Sequence, residues 1–199
     1  MLPENDLETL ALTLFDIGAV QLGKFKLHSG KKSRIYLDLR VLVSYPEALR
    51  VVTRAYTAVL KKLEFDILAA TPLAGLPLGT AVSLHMNIPL IYPRKTAKSY
   101  GTGKSIEGKW DVGQTAVVID DLVTSGDSIL QAIIPLKVAG LAVKDAVVLI
   151  DREQGGIQSL LNEGYRLHAV TSLSHILDIL EDKGRITPKQ HAKVLNSLS

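Results

Sequence analysis

Apolar positions at helical spacing open the chain: Leu7, Leu10, Ala11, Leu14, Phe15 and Gly18 predict an amphipathic helix that ends near Val20. After Gly23 the stretches KFKLHSG and SRIYLDLR alternate between apolar and polar positions, predicting two short strands joined by a glycine turn. Ser44 and Glu47 stand at capping-box spacing around Pro46, so a helix is expected from about Pro46 to Lys62. From there strands and helices alternate. FDILAAT reads as a strand, Leu76 to His85 as a helix, IPLIY and TAVVID as strands, Ser128 to Ala139 as a helix and DAVVLID as a strand. A short helix follows Gly156, and RLHAVTSL reads as one more strand. Thr187, Pro188 and Gln190 form a second capping box, opening a last helix of about ten residues. This alternation predicts an α/β fold with a mostly parallel central sheet and helices on both faces.

The 199 residues suffice for one well-buried core, so a single domain over 1–199 is expected, with a small N-terminal part to about residue 45 and the core from about residue 46. No internal repeat or low-complexity linker interrupts it. Without cysteine, a disulfide framework, a thiolate metal site and a cysteine nucleophile are all excluded. The start, MLPENDLETL, is acidic and lacks an apolar signal core, which predicts a cytoplasmic protein. Ile67 to Pro93 contains no Asp, Glu, Lys or Arg, yet Pro72, Pro77, Pro89 and Pro93 divide it into strand, turn, helix and strand, so no membrane span is expected.

Charge changes the picture at one place. Residues 94–109, RKTAKSYGTGKSIEGK, hold Arg94, Lys95, Lys98, Lys104 and Lys109 against Glu107 alone. Removing these five bases and one acid from the totals of 23 and 20 leaves 18 against 19, so the whole positive excess lies in this segment. Its glycines, Gly101, Gly103 and Gly108, suit a basic flap better than a solvated helix face.

The stretch VVIDDLVTSGDSI carries the most specific chemistry. An apolar strand ends in Asp120 and Asp121 and opens into small polar residues before a helix. Ligands of open parallel sheets bind at the carboxyl ends of the strands. Successive strand side chains point to opposite sides, so the two aspartates are not expected to share one proton. They can accept hydrogen bonds from hydroxyls, and ribose supplies two adjacent ones. The following TSGDS turn can cradle a phosphate with its backbone N–H groups and the positive end of the next helix. The two halves together describe a pocket for a phosphorylated sugar. No G-x-x-x-x-G-K-[ST] loop occurs, and no G-x-G-x-x-G follows a strand. His85, His168 and His175 lie in apolar periodic segments without metal-ligand spacing and are read as structural.

With these residues in place, VVIDDLVTSGDSI resembles the phosphoribosyl pyrophosphate signature of type I phosphoribosyltransferases. GKFKLHSGKKSRIYLDLR, PRKTAKSYGTGKSIEG and VVLIDREQGG are similar to stretches of orotate phosphoribosyltransferases, particularly the form fused into UMP synthase. The resemblance implies the type I phosphoribosyltransferase fold, the N-terminal part forming a hood. It implies transfer of the phosphoribosyl group to orotate, giving orotidine 5'-monophosphate in pyrimidine biosynthesis. Asp120 and Asp121 would hold the ribose hydroxyls, and Thr124, Ser125, Gly126, Asp127 and Ser128 would wrap the 5-phosphate. His28, Arg94, Lys95, Lys98 and Tyr100 would meet the pyrophosphate, partly across a homodimer interface. Lys98 would stabilise the leaving pyrophosphate, where charge develops. Arg152, with Tyr36, Leu37 and Thr124, would contact orotate, a planar anion suited to a guanidinium fork. Mg²⁺ would come with the substrate rather than through direct side-chain ligands.

Three positions depart from the family's usual pattern. His28 stands where many members have lysine, Ala74 where bacterial enzymes often have lysine, and Asp127 where a small or hydroxylated residue is common. A phosphoribosyltransferase for another base is the first alternative. A regulator that senses phosphoribosyl pyrophosphate and binds nucleic acid through the flap is the second, but charge confined to one glycine-rich loop argues against a nucleic-acid partner. Whether the chain stands alone or forms part of a bifunctional protein is left open by the sequence.

Overall fold

The computed structural model describes residues 3–26, 32–94 and 105–197. Helix α1 (Glu4–Asp16) buries Leu7, Leu10, Ala11 and Leu14. It stops short of Val20 because Gly18, at φ 74°, turns the chain into strand β1 (Val20–Lys26), which pairs antiparallel with β2 (Lys32–Leu37) in a separate two-stranded sheet. A 3₁₀ segment over Leu39–Ser44 then leads into α2 (Pro46–Leu60). The expected capping box at the start of α2 does not form. Ser44 is consumed by the preceding 3₁₀ turn, the cap position falls on Tyr45, and Glu47 pairs with Arg50 instead.

The main sheet contains β3 (Ile67–Ala70), β4 (Leu90–Pro93), β5 (Ile106–Glu107), β6 (Thr115–Val123), β7 (Ala142–Asp151) and β8 (Arg166–Ser172) in the order β5-β4-β3-β6-β7-β8. All neighbours are parallel except β5, which returns from the basic segment to pair antiparallel with β4. The connecting helices are α3 (Gly75–Met86), α4 (Asp127–Val138) and α5 (Gly156–Asn162); α6 (Leu173–Asp182) and α7 (Pro188–Leu195) close the chain. The Thr187–Gln190 capping box of α7 forms as expected, with both reciprocal bonds present. Helix α6 was not expected. It begins directly where β8 ends, with the Ser172 hydroxyl accepting the His175 N–H.

Alternation along the strands sorts the interior into two layers. Val117, Ile119, Val147 and Leu149 face α1, α2, α3 and α6, whereas Ala116, Val118, Ala146 and Val148 face α4 and Leu160 of α5. Chain order along the sheet reverses between β3 and β6: from β3 it proceeds outward to β4, and from β6 outward to β7 and β8. Helices leaving adjacent strands in opposite directions open a crevice at their carboxyl ends, the place where open α/β sheets bind ligands.

Candidate active site

β6 does not end at the aspartates. It runs through Asp120 and Asp121 to Val123, because β7 continues alongside and pairs Val123 with Asp151. The carboxylates therefore sit on rigid, paired backbone at the crevice between β3 and β6. Asp120 is buried, and two groups from distant segments and one from its neighbour hold it. The hydroxyl of Thr71, just beyond β3, donates to its carboxylate. The Tyr56 hydroxyl from α2 donates to its carbonyl at 2.6 Å, and the Asp121 N–H donates to its Oδ1 at 2.9 Å. Gly75 completes the fit: a Cβ there would lie 2.6 Å from Thr71 Oγ1 and 2.7 Å from the Ile119 carbonyl.

Burial pushes both carboxyl groups above their ordinary range. The charge of Asp120 and a hydrogen bond its carboxylate accepts from the Asp121 carboxyl carry Asp121 further, to about 7. The two were not expected to share one proton, yet each affects the ionisation of the other. Alternation separates the Cβ directions of successive residues, but short side chains at a strand end can still approach each other and interact.

Beyond Val123 the turn is shaped for an anion. Gly126 is in the left-handed region at φ 93° and caps α4, its carbonyl accepting from the Ile129 and Leu130 N–H groups. The first amides of a helix have no partner within it, so the Asp127 and Ser128 end of α4 can serve an incoming phosphate. Gly156 packs against this turn from below: a Cβ there would approach the Thr124 carbonyl at 2.6 Å and Val123 Cγ2 at 2.4 Å. Aspartates, turn and the loop after β3 enclose a cavity of about 190 Å³ whose lining includes Asp120, Asp121, Thr124, Gly126, Asp127 and Ser128. Leu73 and Ala74 form the opposite wall, and the Pro72–Leu73 peptide is cis. The departure at Asp127 has a visible consequence, since its exposed carboxylate accepts the Ser125 hydroxyl at 2.7 Å and so occupies a donor the phosphate could use.

Arg94 lines an adjoining cavity of about 420 Å³ with Thr71 and Ser128. Its guanidinium pairs with Glu107 of β5, while its buried Nε has no partner among the described residues. Arg152 follows β7, and its N–H donates to the Val123 carbonyl at 3.1 Å, tying it to the cavity wall. It does not pair with Glu153, which bonds Ser174 instead; Arg152 Nε is buried and unpartnered among the described residues. Tyr36 and Leu37 lie on β2 and are not among the residues that line the cavity. The Tyr36 hydroxyl accepts from Arg40 at 3.0 Å, and Leu37 packs against the larger core cluster. His28, Lys95, Lys98 and Tyr100 lie outside the described residues.

From sequence alone, no part in the site fell to Tyr56, Thr71, Gly75 or Gly156. Tyr56 and Thr71 reach Asp120 from distant segments and belong to no motif that announces them, and the glycines, one of them inside VVLIDREQGG, matter only through what packs against them. Among the described residues no group of three or more His, Asp or Glu side chains is placed to hold a metal ion. Two carboxylates at a strand end, both with raised pKa, are nevertheless hard oxygen donors that a nearby divalent cation would stabilise in their charged form.

No family model matches the chain. The bifunctional enzyme PyrF/PyrE of Nostoc sp. is 41% identical over 187 residues, covering 94% of this chain and 39% of that protein. The orotate phosphoribosyltransferase of Pyrobaculum aerophilum is 38% identical over 187 residues, covering 94% of this chain and 96% of that one. Among solved structures, that of Leishmania donovani UMP synthase superposes with a TM-score of 0.89 at 43% identity, covering 96% of this chain and 42% of that one. The chain thus spans about two-fifths of the bifunctional proteins it matches and nearly all of the Pyrobaculum enzyme. With two carboxylates and a glycine turn at the switch point of its mostly parallel sheet, and this similarity over most of its length, the chain belongs to the orotate phosphoribosyltransferase family and has the type I phosphoribosyltransferase fold.

Proposed function

We propose that the chain transfers the phosphoribosyl group of phosphoribosyl pyrophosphate to N1 of orotate, forming orotidine 5'-monophosphate and releasing pyrophosphate. The observation that carries this reading is the cavity lined by both the Asp120–Asp121 pair and the amino end of α4. Asp120 and Asp121 accept the ribose hydroxyls, and the turn from Thr124 to Ser128 holds the 5-phosphate. Arg94, with the sequence-assigned His28, Lys95, Lys98 and Tyr100, neutralises the pyrophosphate, Lys98 acting where negative charge grows as the anomeric bond breaks. Arg152, Thr124, Tyr36 and Leu37 receive orotate; the buried, unpartnered Nε of Arg152 supports an anionic acceptor there. The substitution at the anomeric carbon needs no covalent nucleophile from the protein.

Mg²⁺ fits this site as a partner of the substrate: Asp120 and Asp121 would hold the hydroxyls that carry it, and it would neutralise the leaving group. The active form is a homodimer in which the basic flap reaches the neighbouring site. An apolar groove of about 480 Å³ between α2 and α3, lined in part by Leu49, Ala81 and Leu84, supports a second copy as its cover, as do the exposed Val43 and Tyr45 just before α2. The cytoplasm is the proposed location, and no helix among the described residues is long and apolar enough to cross a membrane.

The test is loss of orotate absorbance in the presence of phosphoribosyl pyrophosphate and Mg²⁺, run beside uracil and purines. Turnover with orotate alone supports the reading; turnover only with another base reassigns the substrate, and none with any base overturns it.

A further inference from the structure

Glu153 has an uncommon backbone and an uncommon side-chain assignment. Its φ is 59°, in the left-handed region that non-glycine residues seldom adopt. Its N–H donates to Asp151 Oδ1 at 2.8 Å, which closes a tight turn at the end of β7. Its carboxylate crosses to the start of α6, where Oε2 accepts the Ser174 N–H at 2.8 Å and Oε1 accepts the Ser174 hydroxyl at 2.9 Å. A carboxylate on the first turn of a helix also meets the positive end of its dipole. The strained turn is thus anchored at both ends, on β7 through Asp151 and on α6 through Ser174.

Arg152 is caught between these anchors. Its N–H is held by the Val123 carbonyl at the cavity wall, and its Nε is buried without a partner among the described residues. A buried donor left without an acceptor costs free energy unless a ligand supplies one. Asp151 and Glu153 flank Arg152 in sequence, but Asp151 Oδ1 accepts the Glu153 N–H, and the left-handed turn directs the Glu153 carboxylate to Ser174.

We propose that Glu153 is a positioning residue for base recognition: by clamping α6 through Ser174 it keeps its own charge off Arg152 and holds that guanidinium open for the carboxylate of the incoming base. The clamp acts on the base and not on the sugar phosphate, because the phosphate turn is braced separately, by Gly126 and Gly156. This inference rests on the orotate reading above and assigns Glu153 and Ser174 a part in it.

The experiment compares the full chain with Glu153→Gln, Glu153→Ala and Ser174→Ala. Breaking the clamp should raise KM for orotate about tenfold while KM for phosphoribosyl pyrophosphate stays within about twofold. Glu153→Gln, whose amide oxygen still accepts one of the two Ser174 bonds, should recover part of the loss seen in Glu153→Ala. A second readout needs no turnover: the Arg152 Nε–H resonance, assigned through an Arg152→Lys control, should be slow to exchange in the wild type and fast in Ser174→Ala. Equal increases in both KM values, or unchanged kinetics with an unchanged Arg152 resonance, would overturn the proposal. A wild type that turns over no orotate yet shows the Arg152 change would sink the substrate reading and leave the clamp standing. If Glu153→Ala does not fold, Glu153→Gln and Ser174→Ala decide the question.

Discussion

The hydroxyl of Tyr56, buried in the middle of α2, donates a 2.6 Å hydrogen bond to the main-chain carbonyl of Asp120, 64 residues further along the chain. One bond therefore joins the helical layer beneath the sheet to the part of β6 that carries the Asp120 and Asp121 carboxylates. Burial with no route for solvation drives the Tyr56 hydroxyl well above its ordinary pKa, and the nearby aspartates add to this, so it remains a donor. Tyr56→Phe keeps the ring but orphans the carbonyl, at a cost of about 1–3 kcal/mol. Urea unfolding should show the lower stability, and affinity for phosphoribosyl pyrophosphate should fall with it. Unchanged stability would mean that water or another donor replaces the hydroxyl.

Asp121 predicts a pH dependence of the free protein. In the unfolded chain its proton leaves near 3.8, whereas burial first and the Asp120 charge second hold it to about 7 in the fold. Between those values the native state binds more protons than the unfolded state, so stability is greatest below the lower value and declines as pH rises through the higher one. Asp121→Asn removes this contribution. At pH 8 the variant should be more stable than wild type by at least about 1 kcal/mol, with a flatter profile from pH 4 to 7, while binding the sugar phosphate more weakly. Parallel unfolding profiles for the two proteins would contradict the assignment.

Asp127 places a negative charge at the amino end of α4, in the wall of the cavity proposed to take the 5-phosphate. It also holds the Ser125 hydroxyl. Asp127→Ser should therefore tighten inorganic phosphate and phosphoribosyl pyrophosphate binding by about threefold to tenfold, more at low salt than at high, since the effect is one of charge. Calorimetric titration at two ionic strengths measures it. Equal affinities at both would show that the carboxylate does not face the anion.

Gly156 is expected to tolerate no side chain, although its role is remote from ligand contact. In Gly156→Ala the added methyl would meet backbone and a packed valine well inside van der Waals distance. The phosphate turn must shift or the protein lose stability, by about 1–3 kcal/mol. A lower melting temperature together with weaker phosphate binding is the expected result; wild-type values of both would show that the loop after β7 moves freely.

Lys98 tests the flap assignment, which rests on the sequence alone. Lys98→Ala should slow the chemical step at least about tenfold, or about 1.4 kcal/mol, with a smaller change in ground-state binding. An unchanged single-turnover rate would remove Lys98 from the mechanism.

What the sequence determined by itself was whatever depends on local periodicity and on short motifs. The apolar runs in TAVVID and DAVVLID, the capping box at Thr187–Gln190 and the DDLVTSGDS turn each carry their meaning within about a dozen residues, the range over which side-chain spacing reports secondary structure. The fold class followed from them, and the candidate site could be placed at the carboxyl end of one strand. Tertiary structure decided the points at which two local signals competed or a distant partner intervened. β6 continues through two charged residues because β7 pairs with it, and sequence cannot display a neighbouring strand. Ser44 caps nothing because a 3₁₀ turn takes it first. α6 escaped detection because it starts at the last residue of a strand, with no loop to mark the change of period. The state of the site was decided the same way: Asp120 is held by Thr71 and Tyr56, which reach it across 49 and 64 residues, and the burial of Asp121 beside the Asp120 charge sets the pKa of Asp121. A motif can name the groups that do the chemistry, but their protonation and aim depend on what the rest of the chain packs around them, because desolvation and hydrogen bonding act through space and not along the sequence.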